Sequence, residues 1–308
     1  MLPEPDELAG ALLDLSVPHE DIDTAARLSR RVADDPEALA CLERSVALLV
    51  ADMGTVRAPV ELPAYAGRCG ATARYFPLYV FAAALPYVRA YHRDLGVPEE
   101  ISRRTLADAG RGVALHRRRH GTGGLLAPRW LYLHFHGELY HLGRLQFQRT
   151  RIGSWTGDDA AAAGLPVGLG DPALGVHVPD FLGPLTPAAC DRSVALARAF
   201  FARHFPREPY AVATCGSWLL DPQLKRYLPA DSHIVRFQDR FRLSHLPDEP
   251  QDLTPVRYVF GTTDVPLDRL PRRTRLERAV VDHLRGGGHW YVGHGWFGWE
   301  ETRTNSNG

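Results

Sequence analysis

The sequence predicts an α+β protein, with a helical N-terminal region followed by a mixed α/β domain. From Glu4 to about His120, Ala- and Leu-rich segments repeat apolar residues at three- and four-residue spacing, the period of a helix with one buried face. From Trp130 onward, aromatic and β-favouring residues gather into short runs separated by Gly and Pro, the punctuation of strands and turns. At 308 residues the chain also exceeds the usual size of one compact domain. The change of character predicts a boundary near residue 125, dividing the chain into 1–125 and 126–308.

Start and stop signals locate the N-terminal helices. Asp35-Pro36-Glu37 offers an N-cap, a proline at the first helical position and an acid near the positive end of the helix dipole. Leu39, Leu42, Val46 and Leu49 then share one face. The apolar stretch from Tyr75 to Val88 reads as a buried helix despite Pro77 and Pro86, and falls short of the roughly 20 residues that span a membrane. Val97-Pro98-Glu99-Glu100 opens a helix to about Arg119, closed by Gly121 and the Gly123-Gly124 pair.

Downstream, Trp130–His136 reads as a passage from helix to strand, and Glu138–Gln148 as a strand pairing with Thr150–Trp155, with Gly137 in a turn or bulge. The Ala- and Gly-rich segment 157–172 reads as a mobile loop. Ala173–Val178 is a short buried strand, and Thr186–Phe205 a helix capped by Thr186 with Pro187 in its first position. Tyr210–Leu220, Ser232–Leu246 and Pro255–Phe260 read as strands, and Asp221-Pro222 starts a short helix to Leu228. Thr274–Arg285 is the last helix. The Gly- and aromatic-rich tail from Gly286 to Trp299 either packs between domains or covers a substrate groove.

Lys+Arg and Asp+Glu both total 36, so bulk charge draws in neither nucleic acid nor an anionic membrane, and the partner must be sought in a site. The runs Arg117-Arg118-Arg119-His120 and Arg272-Arg273 sit beside turn signals and read as solvated surface. Cys41, Cys69, Cys190 and Cys215 form no metal-binding or disulfide pattern. The acidic N-terminus lacks the basic and apolar regions of a signal peptide, so a cytoplasmic location is expected.

Four segments carry a resemblance: Leu142-Gly-Arg-Leu-Gln-Phe147, His177-Val-Pro179, Cys215-Gly-Ser-Trp-Leu-Leu-Asp-Pro222 and Ser232-His-Ile-Val-Arg-Phe-Gln238. Together with Gly96–Glu100 and Thr105–Asp108, they resemble bacterial acyltransferase-domain proteins, in which a helical N-terminal acyltransferase domain precedes a GNAT-like C-terminal domain. The resemblance covers nearly the whole chain. It implies transfer of an acyl group from acyl-coenzyme A, a co-substrate rather than a bound cofactor, to a small-molecule amine, with an acyl carrier protein as the alternative donor. One departure stands out: the glycine-rich pyrophosphate loop of GNAT enzymes corresponds here to Asp180–Thr186, which contains only Gly183. The helix after Thr186 still offers amide groups and a positive dipole end to a phosphate.

Amine acylation needs a neutral amine, a donor to the developing oxyanion and a proton for the departing thiolate. The resemblance implies that the strand Leu174–Val178 splays from Tyr210–Leu220, with the thioester arm between them along the backbone of Val176 and Val178 and the phosphates at Thr186. His177 at the opening is then the candidate base, or else a hydrogen-bonded core residue. Tyr227 matches the position from which GNAT tyrosines protonate the thiolate, or packs as an aromatic. Cys215 and Ser217 alternate onto one strand face and are candidate substrate contacts, a covalent cysteine route lacking any evident activating base. Asp221 reads as a helix cap. Glu138 and Arg144, on the early hairpin, are candidate acceptor contacts or surface ion-pair members. His134, His136 and His141 lack a further ligand at diagnostic spacing, so no metal is expected. Two competing functions remain: a non-catalytic acyl-thioester-binding module, and a thioester hydrolase or decarboxylase.

Overall fold

The computed structural model describes residues 2–58, 60–63, 65, 70–125, 128–180 and 182–299; Cys69 and Phe181 lie outside them. The chain divides into two compact units, Met1–His141 and Leu142–Gly308, so the division falls downstream of the expected residue 125. The reason lies in Trp130–His136. That segment is a helix throughout rather than a passage into strand, and it packs with the helices before it.

The first unit holds α1 (Pro5–Asp14), α2 (His19–Ala33), α3 (Pro36–Val50), α4 (Ala71–Asp94), α5 (Glu99–Leu106), α6 (Asp108–His120) and α7 (Pro128–Phe135). α4 is its axis, packing against α1, α2, α3, α5 and α7 and carrying Pro77 and Pro86 inside the helix. Asp35 caps α3, its side chain accepting from Glu37 N at 3.0 Å and Ala38 N at 3.2 Å. The helix expected from Glu99 to Arg119 is instead two, broken at Ala107, and Gly121 closes the second with φ of 66°. Asp21 is fully buried beneath α4 and α6; it accepts from the Tyr75 hydroxyl and from Arg117 Nη2 at 2.7 Å.

The second unit continues from β1 (Leu139–Leu142), which straddles the division, through β2 (Leu145–Arg151), α8 (Ser154–Ala162), β3 (Pro172–His177) and α9 (Pro187–His204). Then come β4 (Val212–Ser217), α10 (His233–Gln238), β5 (Arg242–His245), α11 (Leu253–Phe260), α12 (Arg275–Arg285) and β6 (Gly293–Gly298). Among the described residues the strands form one mixed sheet in the order β1-β2-β3-β4-β6-β5. Thr186 caps α9 as the sequence predicts, and Thr274, where the sequence starts the last helix, caps α12 through a full capping box with Glu277.

Five further expectations are corrected. A turn at Gly143 (φ 75°), against Ser193, splits the strand expected over Glu138–Gln148. The expected loop 157–172 begins inside α8, whose Ala160 is fully buried. Ser232–Leu246 is not one strand: the Ser232 side chain caps α10 by accepting from Val235 N, and only Arg242–His245 is extended. Pro255–Phe260 lies in α11, which Gly261 ends with φ of 74°. The Gly-rich tail contributes β6, which runs antiparallel to both β4 and β5 inside the sheet. Two of its glycines are steric necessities: a Cβ on Gly293 would lie 2.9 Å from Leu220 O, and one on Gly295 2.9 Å from Arg242 O.

Candidate active site

The site grows from a break in the sheet. β3 and β4 run parallel, paired at Leu174–Ala213 and Gly175–Thr214. Beyond that point β3 stays paired with β2 out to Gln146–His177, and β4 stays paired with β6 out to Ser217–Gly293. The two strands therefore diverge after Gly175 and Thr214. The facing backbone edges of Val176–His177 and Cys215–Ser217 carry donors and acceptors with no ladder partner between them, a slot suited to an extended amide-bearing ligand.

Strand alternation sorts the side chains beside this slot. Leu174, Val176, Ala213 and Cys215 point to one face and are buried. Ala173, Gly175, His177, Val212, Thr214 and Gly216 point to the other. There α8 covers the lower part, where Ala160 packs with Ile152, Ala173, Val212 and Trp296. The upper part, at the divergence, carries two glycines. A Cβ on Gly175 would meet His177 Nε2 at 3.2 Å, and one on Gly216 would meet the His294 ring at 3.2 Å. An imidazole thus lies over each glycine, one from β3 and one from β6.

His177 Nε2 lies 3.0 Å from Gln148 Oε1, which fixes the ring by a proton on Nε2. His294 is half-buried, and burial, reinforced by His245, holds its pKa below the ordinary imidazole value. His245 is opposite His294 in the β5–β6 ladder, and Trp155 stacks on His245 with ring centroids 3.8 Å apart. His294 escaped sequence reasoning because its segment was not recognised as a strand, so its face could not be assigned.

The other expected residues have other partners. Cys215 is buried and its thiol is pushed up to about 12 by burial, which leaves too little thiolate for a nucleophile. Ser217 Oγ accepts from Leu219 N at 3.1 Å, capping the short 3₁₀ turn Trp218–Leu220. Tyr227 donates to or accepts from His283 Nδ1 at 2.9 Å and packs by Trp290, in a cluster with α12. Asp221 caps the 3₁₀ turn Pro222–Arg226 and also accepts from Tyr291 N at 2.9 Å. Glu138 is completely buried in the first unit, 3.0 Å from His136 Nδ1, so it is not a surface residue. The three upstream histidines keep separate partners: His134 the carbonyl of Trp130, His136 Glu138, and His141 Arg111.

Arg144 turns away from an acceptor role toward the loop that enters α9, donating to Gly183 O at 2.9 Å and Pro179 O at 3.1 Å. Thr186 Oγ1 accepts from Ala189 N at 3.2 Å. Arg240 donates to Pro187 O at 3.0 Å and pairs with Asp191 at 2.7 Å. Two guanidinium groups thus flank the first turn of α9, which carries no acidic residue.

Comparisons with known proteins place the chain in a family. The N-acyltransferase N-terminal domain matches residues 6–137 and the GNAT-like C-terminal domain residues 139–297. Among curated proteins none matches. A solved acyltransferase in complex with decanoyl-CoA and teicoplanin is 39% identical over 97% of this chain and 90% of its own, with a TM-score of 0.84. An acyltransferase variant with octanoyl-CoA is 40% identical over 97% of this chain and 89% of its own, with a TM-score of 0.83. An acyltransferase with decanoyl-CoA alone is 39% identical, covering 96% and 89%, with a TM-score of 0.82. The chain therefore belongs to the N-acyltransferases that join a helical N-acyltransferase N-terminal domain to a GNAT-like C-terminal domain.

Proposed function

We propose that this enzyme transfers an acyl group from acyl-coenzyme A directly to the amine of a small-molecule acceptor. The observation that carries this reading is the divergence of β3 and β4 after Gly175 and Thr214. The amides of a pantetheine arm can pair with the free edges at Val176, Val178 and Cys215–Ser217, which brings the thioester carbon beside Gly175 and Gly216. His177 at the mouth of the slot is suited to take a proton from the bound ammonium form of the acceptor, leaving the neutral amine that attacks, its ring held by Gln148. The acyl-CoA complexes of the related acyltransferases support the same donor here, and the teicoplanin complex supports a small-molecule acceptor.

The pyrophosphate would lie at Thr186 and the first turn of α9, where Arg144 and Arg240 supply positive charge that the single-glycine loop does not. That charge favours coenzyme A over a carrier-protein arm, which brings one phosphate rather than three. A coenzyme A donor also fits a cytoplasmic bacterial enzyme. Among the described residues no helix is long and apolar enough to cross a membrane.

Calorimetric titration with coenzyme A and acyl-CoA esters tests the reading, repeated on Gly216→Leu. The expected result is micromolar binding by the wild type, weakened at least tenfold in the variant, and CoA release when amines are added. No binding of any ester by the wild type would sink it.

A further inference from the structure

Resting on the acyl-transfer reading, we propose that His294 is a catalytic residue, carrying a proton from the acceptor nitrogen to the departing coenzyme A sulfur.

The role is open because the residue expected to fill it is engaged elsewhere. Tyr227 is bonded to His283 and packed by Trp290. His294, in contrast, faces Gly216 directly across the β4–β6 ladder, on the strand segment that borders the slot. Gly216 is exposed, so nothing on that strand intervenes between the imidazole and the space where the thioester would lie. Among the described residues, no hydrogen bond is made by either ring nitrogen of His294, whereas His177 is bonded to Gln148. The ring is held by contact alone: Trp155 lies 5.2 Å away and His245 6.3 Å, centroid to centroid.

The chemistry balances without a further reactant. The acceptor amine attacks the thioester carbonyl, forming the N–C bond, and the nitrogen's surplus proton passes to His294. The C–S bond then breaks, the electron pair leaves with sulfur, and the imidazolium returns the proton to the thiolate. His294 ends neutral, as it began. A site that disfavours the charged ring makes the transient imidazolium a stronger acid, which suits it to protonate a thiolate. The groups facing the ring are His245 from β5, Trp155 from α8 and Gly216 from β4; the neighbouring Asp159 is spent on Arg242 and Trp296 Nε1.

The test compares wild type with His294→Gln, using decanoyl-coenzyme A and an aryl thioester of the same acid, whose thiolate departs without a proton. With the coenzyme A ester, kcat should fall about 100-fold in the variant with KM little changed. With the aryl thioester the loss should be at least tenfold smaller. Protonation of His294, below the ordinary imidazole range, contributes to the acid limb of the wild-type pH profile, and that contribution should be lost in the variant. Equal losses with both donors, or a rise in KM with kcat intact, would overturn the proposal. A wild type that releases no coenzyme A to any amine would instead refute the acyl-transfer reading, taking this inference with it.

Discussion

Cys215 and His177 sit near one another in the fold yet differ in what chemistry leaves available to them. Cys215 points to the buried face of β4, and burial raises its thiol to about 12, so thiolate is scarce at neutral pH. His177 points to the opposite face of β3, partly exposed, with one nitrogen fixed by Gln148. The two substitutions should therefore separate cleanly. Cys215→Ala removes a buried sulfur and should cost about 1 kcal/mol of stability while leaving acyl transfer intact. His177→Gln should lower kcat/KM by roughly 100-fold to 10,000-fold with the melting temperature nearly unchanged. Steady-state kinetics beside thermal denaturation decide it; a Cys215→Ala enzyme without activity would reinstate the thiol as a participant. From sequence both residues were legible as candidates, since alternation along short strands assigns faces. Burial was not, because it depends on which helix covers which face.

Among the elements, helices whose start signals were recognised were readable, as were the long apolar run of α4 and the strand β3, whereas other short apolar runs were assigned the wrong type. Asp35, Thr186 and Thr274 start α3, α9 and α12, because a side-chain oxygen accepting an orphan amide is a local event written within four residues. Segments such as Trp130–His136 and Pro255–Phe260 are short and apolar, and periodicity cannot separate a buried strand from a buried helix at that length. Tertiary packing made both helices. β6 failed for a different reason. Its glycines argue against a strand by propensity, yet neighbouring carbonyls of Leu220 and Arg242 approach so closely that only glycine fits. Gly295→Val should thus disrupt the sheet despite valine's higher strand propensity, at a cost of about 2 kcal/mol or more. The denaturant midpoint measures this. A variant as stable as the wild type would mean that the β5–β6 contact can open without loss.

At the scale of the whole molecule, the acid response should differ between the two units, because their perturbed groups differ. The helical unit holds His92, His116 and His134, each kept below the ordinary imidazole value chiefly by burial, His92 at about 4. A histidine whose folded pKa is depressed contributes stability that is fully present above its unfolded pKa of about 6.5 and declines as pH falls toward the folded value. For His92 alone, that is about 3 kcal/mol lost between pH 6.5 and 4. In the second unit His294 is likewise held low, and the acids Asp159, Glu208 and Glu277 are held low by charged and hydrogen-bonded partners that outweigh their burial. Their contribution is fully present above about 4.5 and is lost only as pH falls below that. Acidification from pH 7 should consequently weaken the helical unit first. Hydrogen exchange followed by mass spectrometry at pH 7, 5.5 and 4.5, corrected for the intrinsic exchange rate, would show protection falling in α4–α7 before it falls in β2–β4. Replacing His92 with Phe should remove part of that early loss, since a side chain that cannot protonate keeps the core apolar at every pH. Simultaneous loss across both units, unchanged in the His92→Phe variant, would show that these buried histidines do not set the acid limit.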